Sequence, residues 1–199
     1  MNKDLKLLID FVSGEMEPKA FESKLYASNT MENYLSDMPD YPCISYFGDG
    51  AYLFLISQDY DDPGDALNAH HIVHQILKRK GADFTSSDWL ERLYDLIQNA
   101  QPKWLDVSPK FIAAKYFSII KHLPRKDAKK KLRSYLLRDF KFIKTPPKWL
   151  QSPKWPIQNE SPMVFLGQID IEEYFHDKAA AYVFYDSDGG HTETIIQTM

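Results

Sequence analysis

Apolar residues recur every three or four positions through most of the first 145 residues, with charged and polar residues between them. This spacing places the apolar side chains on one face of an α-helix and predicts a mainly helical region over residues 1–145. The opening segment shows the pattern at Leu5, Leu8, Phe11 and Val12. Pro18 and Ser108-Pro109 are predicted helix starts, because proline is tolerated at the first helical position.

Residues 44–56 interrupt this helical spacing. The runs Tyr46-Phe47 and Tyr52-Leu53-Phe54-Leu55-Ile56 flank a glycine-containing turn at residues 48–50. Aromatic and aliphatic runs around a glycine turn predict a short β-hairpin. A buried helical turn is the alternative interpretation, because short apolar runs are ambiguous.

The helical pattern stops at Pro146–Gln168, a segment that we call the Pro/Trp belt. It holds five prolines and two of the four tryptophans, and no helix can continue through so many prolines. Strand patterns follow at Met163–Ile171, Ala179–Tyr185 and Thr192–Thr198. The predicted fold class is α+β, with a mainly helical N-terminal body carrying a short hairpin and a small antiparallel C-terminal β-sheet. We expect the regions 1–145 and 146–199 to pack as one unit.

Composition narrows the class of protein. A chain of 199 residues with 44% hydrophobic residues can bury a core without disulfide bonds or metal ions. Its length suits one large domain or two small ones. The single cysteine, Cys43, excludes a disulfide framework within the chain. The N-terminus lacks the pattern of a signal peptide, and no apolar run approaches the ~20 residues of a membrane span. A cytoplasmic location without membrane contact is the expectation.

The net charge of −4 hides three blocks of opposite sign. Residues 1–100 carry 8 Lys/Arg and 17 Asp/Glu, residues 101–155 carry 15 and 3, and residues 156–199 carry 1 and 8. Such blocks can steer a charged partner, or they can complement one another within one fold, which is the commoner outcome.

The densest acidic stretch surrounds Pro63-Gly64. Its acidic members are Asp59, Asp61, Asp62 and Asp65. The order and the distal glutamate of a calcium loop are missing. We expect Asp62 or Asp65 to cap the following helix, and the stretch can in addition form an acidic surface for a basic partner.

Other reactive side chains lack a motif. His70 and His74 have the spacing of zinc ligands on a helix, with His71 beside them, but the glutamate of such motifs and a nearby cysteine are missing. Cys43 has no motif around it. The basic stretch 125–138 has the charge pattern of a solvated helix, so direct nucleic-acid binding is not expected. No catalytic, metal or cofactor site is predicted, and a binding protein is favoured over an enzyme.

Several segments carry a family resemblance. They are PPKWLQSPKWPIQNESPMVFLGQIDIEEYFHDKAAAYVFYD at 146–186, YLFLISQDYDDPGDALNA at 52–69, QPKWLD at 101–106 and LLIDFVSGEMEPKAF at 7–21. Together they resemble bacterial immunity proteins found beside polymorphic toxins, including those of contact-dependent inhibition systems. The last fifty residues distantly resemble YwqG-like domains. The resemblance implies a cytoplasmic antidote that binds the C-terminal domain of a cognate toxin.

The toxin domain expected as partner is basic, so acidic and aromatic surface is the candidate interface. Two sets of residues meet this description: Asp59, Tyr60, Asp61, Asp62 and Asp65 in one, and Asp170, Glu172, Glu173, Tyr174 and Asp177 in the other. Trp104, Trp149 and Trp155 are interpreted as packing residues. The alternative function is a non-enzymatic protein-interaction (adaptor) module unrelated to a toxin.

Overall fold

The computed structural model describes residues 2–36 and 50–199 of the chain. These residues form two compact units, Met1–Asp95 and Leu96–Met199. The chain changes from helices to strands after residue 145, inside the second unit. The boundary between the units, after Asp95, therefore lies within the helical region. Described residues include eight α-helices and two small antiparallel sheets, which confirms the predicted α+β class.

The first unit is helical. Its helices are α1 (Lys3–Val12), α2 (Pro18–Ala27), α3 (Met31–Ser36), α4 (Ala51–Ser57), α5 (Pro63–Arg79) and the start of α6 (Trp89–Ala100). The rings of Phe11 and Phe21 stack at 4.1 Å between centroids, which joins α1 to α2. Pro18 occupies the first position of α2, as the sequence predicts.

Of the segment 44–56, the structure describes residues 50–56, and these do not form a hairpin. Tyr52–Ile56 lies in α4, so the hairpin prediction is wrong there and the helical alternative is confirmed. The hydroxyl of Tyr26 donates to the Ile56 carbonyl at 2.7 Å, and Leu55 is fully buried. The partner run Tyr46-Phe47 and the cysteine Cys43 lie outside the described residues.

The second unit combines helices with strands. After the last turn of α6 come α7 (Pro109–Ile120) and α8 (Arg125–Asp139). Five strands follow, β1 (Ile157–Gln158), β2 (Ser161–Pro162), β3 (Val164–Asp170), β4 (Ala179–Tyr185) and β5 (Thr192–Thr198), with a 3₁₀ helix (Glu172–Tyr174) between β3 and β4. Strands β1 and β2 pair with each other, while the larger sheet has the antiparallel order β3-β4-β5. The three long strands lie within the segments Met163–Ile171, Ala179–Tyr185 and Thr192–Thr198 that the sequence predicts.

Trp155 of the Pro/Trp belt lies at the centre of the second unit's aromatic core. Its ring lies 5.4 Å from that of Trp104, 5.5 Å from that of Phe140 and 5.3 Å from that of Phe184. Its indole N–H donates to the Met163 carbonyl at 2.8 Å, so burial leaves no donor unsatisfied. Because Phe140 follows α8 and Phe184 lies in β4, this tryptophan joins α8 to the larger sheet.

Trp149 packs the belt against the face of the larger sheet that carries Phe184, which Trp155 also contacts. Its indole N–H donates to the Trp104 carbonyl at 2.9 Å, and its ring lies 4.5 Å from that of Tyr182. The Tyr182 hydroxyl donates in turn to the Lys148 carbonyl at 3.0 Å. The packing role predicted for Trp104, Trp149 and Trp155 is confirmed.

Candidate protein-binding surface

The acidic turn, residues 59–65, uses its carboxylates to build the start of α5. Asp62 is the N-cap residue and its Oδ1 accepts from the Gly64 N–H at 2.7 Å. Asp65 Oδ2 accepts from the Asp59 N–H at 3.1 Å, and Asp59 Oδ1 accepts from the Asp61 N–H at 3.0 Å. Of the two predicted caps, Asp62 and Asp65, the structure shows Asp62. Its bond satisfies a backbone donor that the first turn of the helix leaves open, and the other two bonds hold the turn before the helix.

Tyr60 lies in the core of the first unit and not on its surface. Only 4% of it is exposed, and its ring makes edge contacts with Phe11 at 6.2 Å and Phe21 at 5.7 Å. Its hydroxyl donates to the Leu55 carbonyl at 3.0 Å, and burial raises its pKa. Tyr60 is therefore not placed to contact a partner as an anchor.

Asp61 is the exposed carboxylate of the acidic turn. Its Oδ2 lies 2.8 Å from Lys19 Nζ, which also lies 2.8 Å from Glu22 Oε2. The hydrogen bond to Asp61, followed by that to Glu22, raises the pKa of Lys19. Asp61 is therefore paired with a cation, which it shares with Glu22.

The second predicted set forms a different environment, which we call the acidic sheet end: Asp170, Glu172, Glu173, Tyr174 and Asp177. Asp170 ends β3, and its Oδ1 accepts from the Glu172 N–H at 3.0 Å, which starts the 3₁₀ helix. All five residues are exposed, and Tyr174 is 75% exposed. The structure thus brings the whole predicted set together at one end of the larger sheet.

An open face of the larger sheet adds apolar surface beyond the two sets of residues predicted from the sequence. Ile169, Ala181 and Ile196 are direct neighbours across β3, β4 and β5, so their side chains share one face. Ile169 is 60% exposed and Ile196 is 55% exposed, while Ala181 between them is only 9% exposed. The opposite face carries Phe165 and Phe184, which are buried. The adjacent pair Ile195-Ile196 was the available signal, since successive strand residues point to opposite faces.

Apolar side chains also flank the acidic sheet end. Phe175 follows the 3₁₀ helix and is exposed, as is Met199, whose N–H donates to the Lys178 carbonyl at 2.9 Å. Exposed aromatic and aliphatic side chains beside carboxylates resemble a protein interface, in which apolar anchors lie within a polar rim.

The histidines of α5 line a separate cleft in the first unit, with a volume of about 490 Å³. His70 Nε2 lies 3.0 Å from the Val12 carbonyl, and burial lowers the pKa of this histidine. His74 contacts the ring of Phe84 edge-on at 5.2 Å. Among residues 2–36 and 50–199, no group of three His, Cys, Asp or Glu side chains could hold a metal ion. His70 therefore serves packing and hydrogen bonding.

Comparisons of the chain with protein-family models, with curated proteins and with solved structures found no match. The resemblance to immunity proteins therefore stays a prediction. In the parts of the chain that the structure describes, no helix has the length and apolar character needed to cross a membrane.

Proposed function

We propose that this chain is an immunity protein, which binds a cognate toxin domain in the cytoplasm and blocks its active site or its access to substrate. The resemblance of the Pro/Trp belt and of the segment 52–69 suggests the class. One observation carries the assignment of the surface: carboxylates and exposed apolar side chains lie together at the acidic sheet end and on the adjoining open face. The proposed action is binding alone, with no catalytic step and no cofactor.

Charge favours a basic partner. Residues 156–199 carry 1 Lys/Arg and 8 Asp/Glu, and Glu172, Glu173 and Asp177 are exposed. Complementary charge speeds the diffusional encounter of two proteins and disfavours partners of like charge. Toxin domains that act on nucleic acid are often basic, because they must approach phosphates. The acidic sheet end fits such a domain.

Apolar anchors supply the affinity in this proposal. Tyr174 is the central candidate, since exposed tyrosines that become buried in an interface are frequent hot spots. Ile169 and Ile196 add apolar surface on the sheet beside the β3–β4 connection that carries Tyr174. A stable interface buries roughly 800 Å² on each partner, so the open face and the acidic sheet end are expected to contribute together.

The test is co-expression with the toxin encoded by the gene immediately upstream, combined with calorimetric measurement of the dissociation constant for its toxic domain. We expect the wild-type chain to protect cells. The triple variant Ile169→Thr, Tyr174→Ala, Ile196→Thr keeps β-branched residues in the strands, and we expect its affinity to fall by at least about 30-fold, the effect of a single hot spot. Protection should fall accordingly.

The matched control is Leu137→Ala on α8, an exposed apolar residue elsewhere in the same unit. It should protect and bind like the wild type. Cell death despite wild-type expression would contradict the immunity function. Tight binding of a partner that is not toxic would favour the adaptor module, which uses the same surface for another purpose.

A further inference from the structure

The register of the larger sheet determines which backbone groups of β5 point away from β4. At the ends of this pair, Met199 N–H donates to the Lys178 carbonyl and Asp186 N–H donates to the His191 carbonyl, both at 2.9 Å. Opposite residues in an antiparallel pair alternate between bonded and non-bonded. Glu193, Ile195 and Gln197 therefore bond to β4, so that Thr192, Thr194 and Ile196 direct their N–H and C=O groups outward.

This outward edge of β5 is open over three alternating residues. In the described residues, the backbone of Thr192, Thr194 and Ile196 has no hydrogen-bond partner on that side, and β5 pairs only with β4. At the C-terminal end of the edge, the outward carbonyl of Thr198 is occupied, because Gln151 Nε2 donates to it at 2.6 Å. Residues 192–196 span roughly 17 Å, enough for an added strand of about five residues.

The opposite edge of the sheet is covered in part. Ile143 N–H donates to the Phe165 carbonyl at 3.1 Å and Phe165 N–H donates to the Lys141 carbonyl at 2.9 Å. The register of β3 also shifts between Phe165 and Gly167. Bulges and covering segments are the devices by which proteins protect sheet edges, whereas β5 has an unbroken register and no proline or lysine.

We propose that the β5 edge receives an extended, basic segment of the toxin domain as a fourth strand of the sheet; this inference rests on the proposed function. An apolar side chain of that segment opposite Ile196 would continue the row Ile169, Ala181 and Ile196 on the open face. Main-chain hydrogen bonds supply affinity in such strand addition, and the side chains facing the sheet supply specificity.

Charge argues against a second copy of the chain as the occupant. Edge-to-edge pairing of two copies would bring together two C-terminal regions that each carry 8 Asp/Glu and 1 Lys/Arg. Like charges across an interface disfavour association, whereas a segment with Lys or Arg at its ends is attracted.

The test is Thr194→Pro in the full chain. Proline removes the outward N–H and places its ring on the edge, but it leaves the bonds to β4 intact because Thr194 does not bond to that strand. We expect the dissociation constant for the toxin domain to rise roughly 10- to 100-fold, as expected from lost hydrogen bonds and an obstructed edge. The control Thr194→Val keeps the N–H, so the loss of affinity of Thr194→Pro beyond that of Thr194→Val measures the role of the backbone edge.

If Thr194→Pro disturbs the pairing of β4 with β5, hydrogen exchange of the wild-type chain still tests the proposal. The amides of Thr194 and Ile196 should exchange at least roughly tenfold more slowly in the complex than in the free chain. Unchanged exchange, or wild-type affinity of a folded Thr194→Pro variant, would overturn strand addition. A dimer of the free chain that Thr194→Pro dissociates would overturn it as well, since a second copy would then occupy the edge.

These outcomes separate the two proposals. If Thr194→Pro binds normally while the triple variant at Ile169, Tyr174 and Ile196 does not, strand addition fails and the immunity function stands. If the wild-type chain binds no toxin domain, both proposals fail together.

Discussion

The acidic turn and the acidic sheet end have similar compositions but different structural roles. In the turn, Asp62 caps α5, Asp65 holds the Asp59 N–H, and Tyr60 is buried. At the sheet end, Glu172, Glu173 and Asp177 are exposed and Tyr174 is largely in solvent. Acidic and aromatic composition therefore does not decide which side chains reach solvent; hydrogen bonds and burial in the folded chain decide it. Mutations in the turn should therefore affect stability, and mutations at the sheet end should affect binding.

The largest expected effect is that of Tyr60→Ala. Truncation leaves a cavity beside Phe11 and Phe21 and removes the hydroxyl bond to Leu55, so the free energy of unfolding should fall by about 3–5 kcal/mol. Chemical denaturation of the full chain measures it. Tyr174→Ala is the matched control and should change stability by less than about 0.5 kcal/mol. Equal losses from the two variants would remove the distinction between the regions.

The next effect concerns association with the toxin domain. If the acidic sheet end steers a basic partner, raising the salt concentration from about 0.05 to 0.5 M should slow association about tenfold, because salt screens exposed charges. Stopped-flow mixing measures the rate constant.

The control for this salt effect is the variant Asp170→Asn, Glu172→Gln, Glu173→Gln, Asp177→Asn. It keeps the size of each side chain, and the amide oxygen introduced at position 170 can still accept from the backbone N–H at position 172. Its association rate should be slow at both salt concentrations. A salt dependence equal to that of the wild type would assign steering to another surface.

A smaller effect is expected from Asp62→Ala, which removes the N-cap of α5. Loss of the bond to the Gly64 N–H should lower the free energy of unfolding by about 1 kcal/mol. Asp62→Asn retains an acceptor oxygen and should recover most of this loss. Thermal unfolding followed by circular dichroism measures both, and the affinity for the toxin domain should stay unchanged. Weaker binding by a stable Asp62→Asn variant would place the acidic turn in the interface.

The elements that could be predicted are those with a strong local signal. The alternation of residues in Thr192–Thr198 indicates β5, and the prolines of the belt end the helical region before the strands begin. The aspartates around Pro63 indicate a capped helix start, although the choice of Asp62 over Asp65 comes from the structure. Each signal lies within a few residues of the feature that it predicts, so no tertiary information is needed.

Features decided by distant contacts could not be predicted. The run Tyr52–Ile56 is short and apolar and suits a strand or a helix; the structure forms a helix that packs beside Tyr26. Tyr60 lies among aspartates in the sequence, yet its ring is buried against Phe11 and Phe21, which are about 40 to 50 residues earlier in the chain. The pair Ile195-Ile196 indicates one isoleucine on the outer face, but the row Ile169, Ala181 and Ile196 follows only from the register of three strands.

The smallest effect is expected from Asp61→Lys. Asp61 is the carboxylate of the acidic turn that faces solvent, so it decides whether the turn also serves as a binding surface. Its pair with Lys19 is exposed on both sides, at 52% and 55% of the side chains, so water and salt screen the attraction and stability should change little. If the turn lies outside the interface, the affinity for the toxin domain should stay within about twofold of the wild-type value, the scatter typical of surface substitutions.

Glu173→Lys is the matched charge reversal at the acidic sheet end. It places a cation where a basic partner is expected, so its dissociation constant should rise about tenfold, mainly through slower association. Calorimetry and stopped-flow mixing on the two variants, at the same salt concentration, measure the contrast. Equal weakening by both reversals would mean that net charge, and not the location of the carboxylates, governs binding, and the distinction between the two acidic regions would then hold for stability alone.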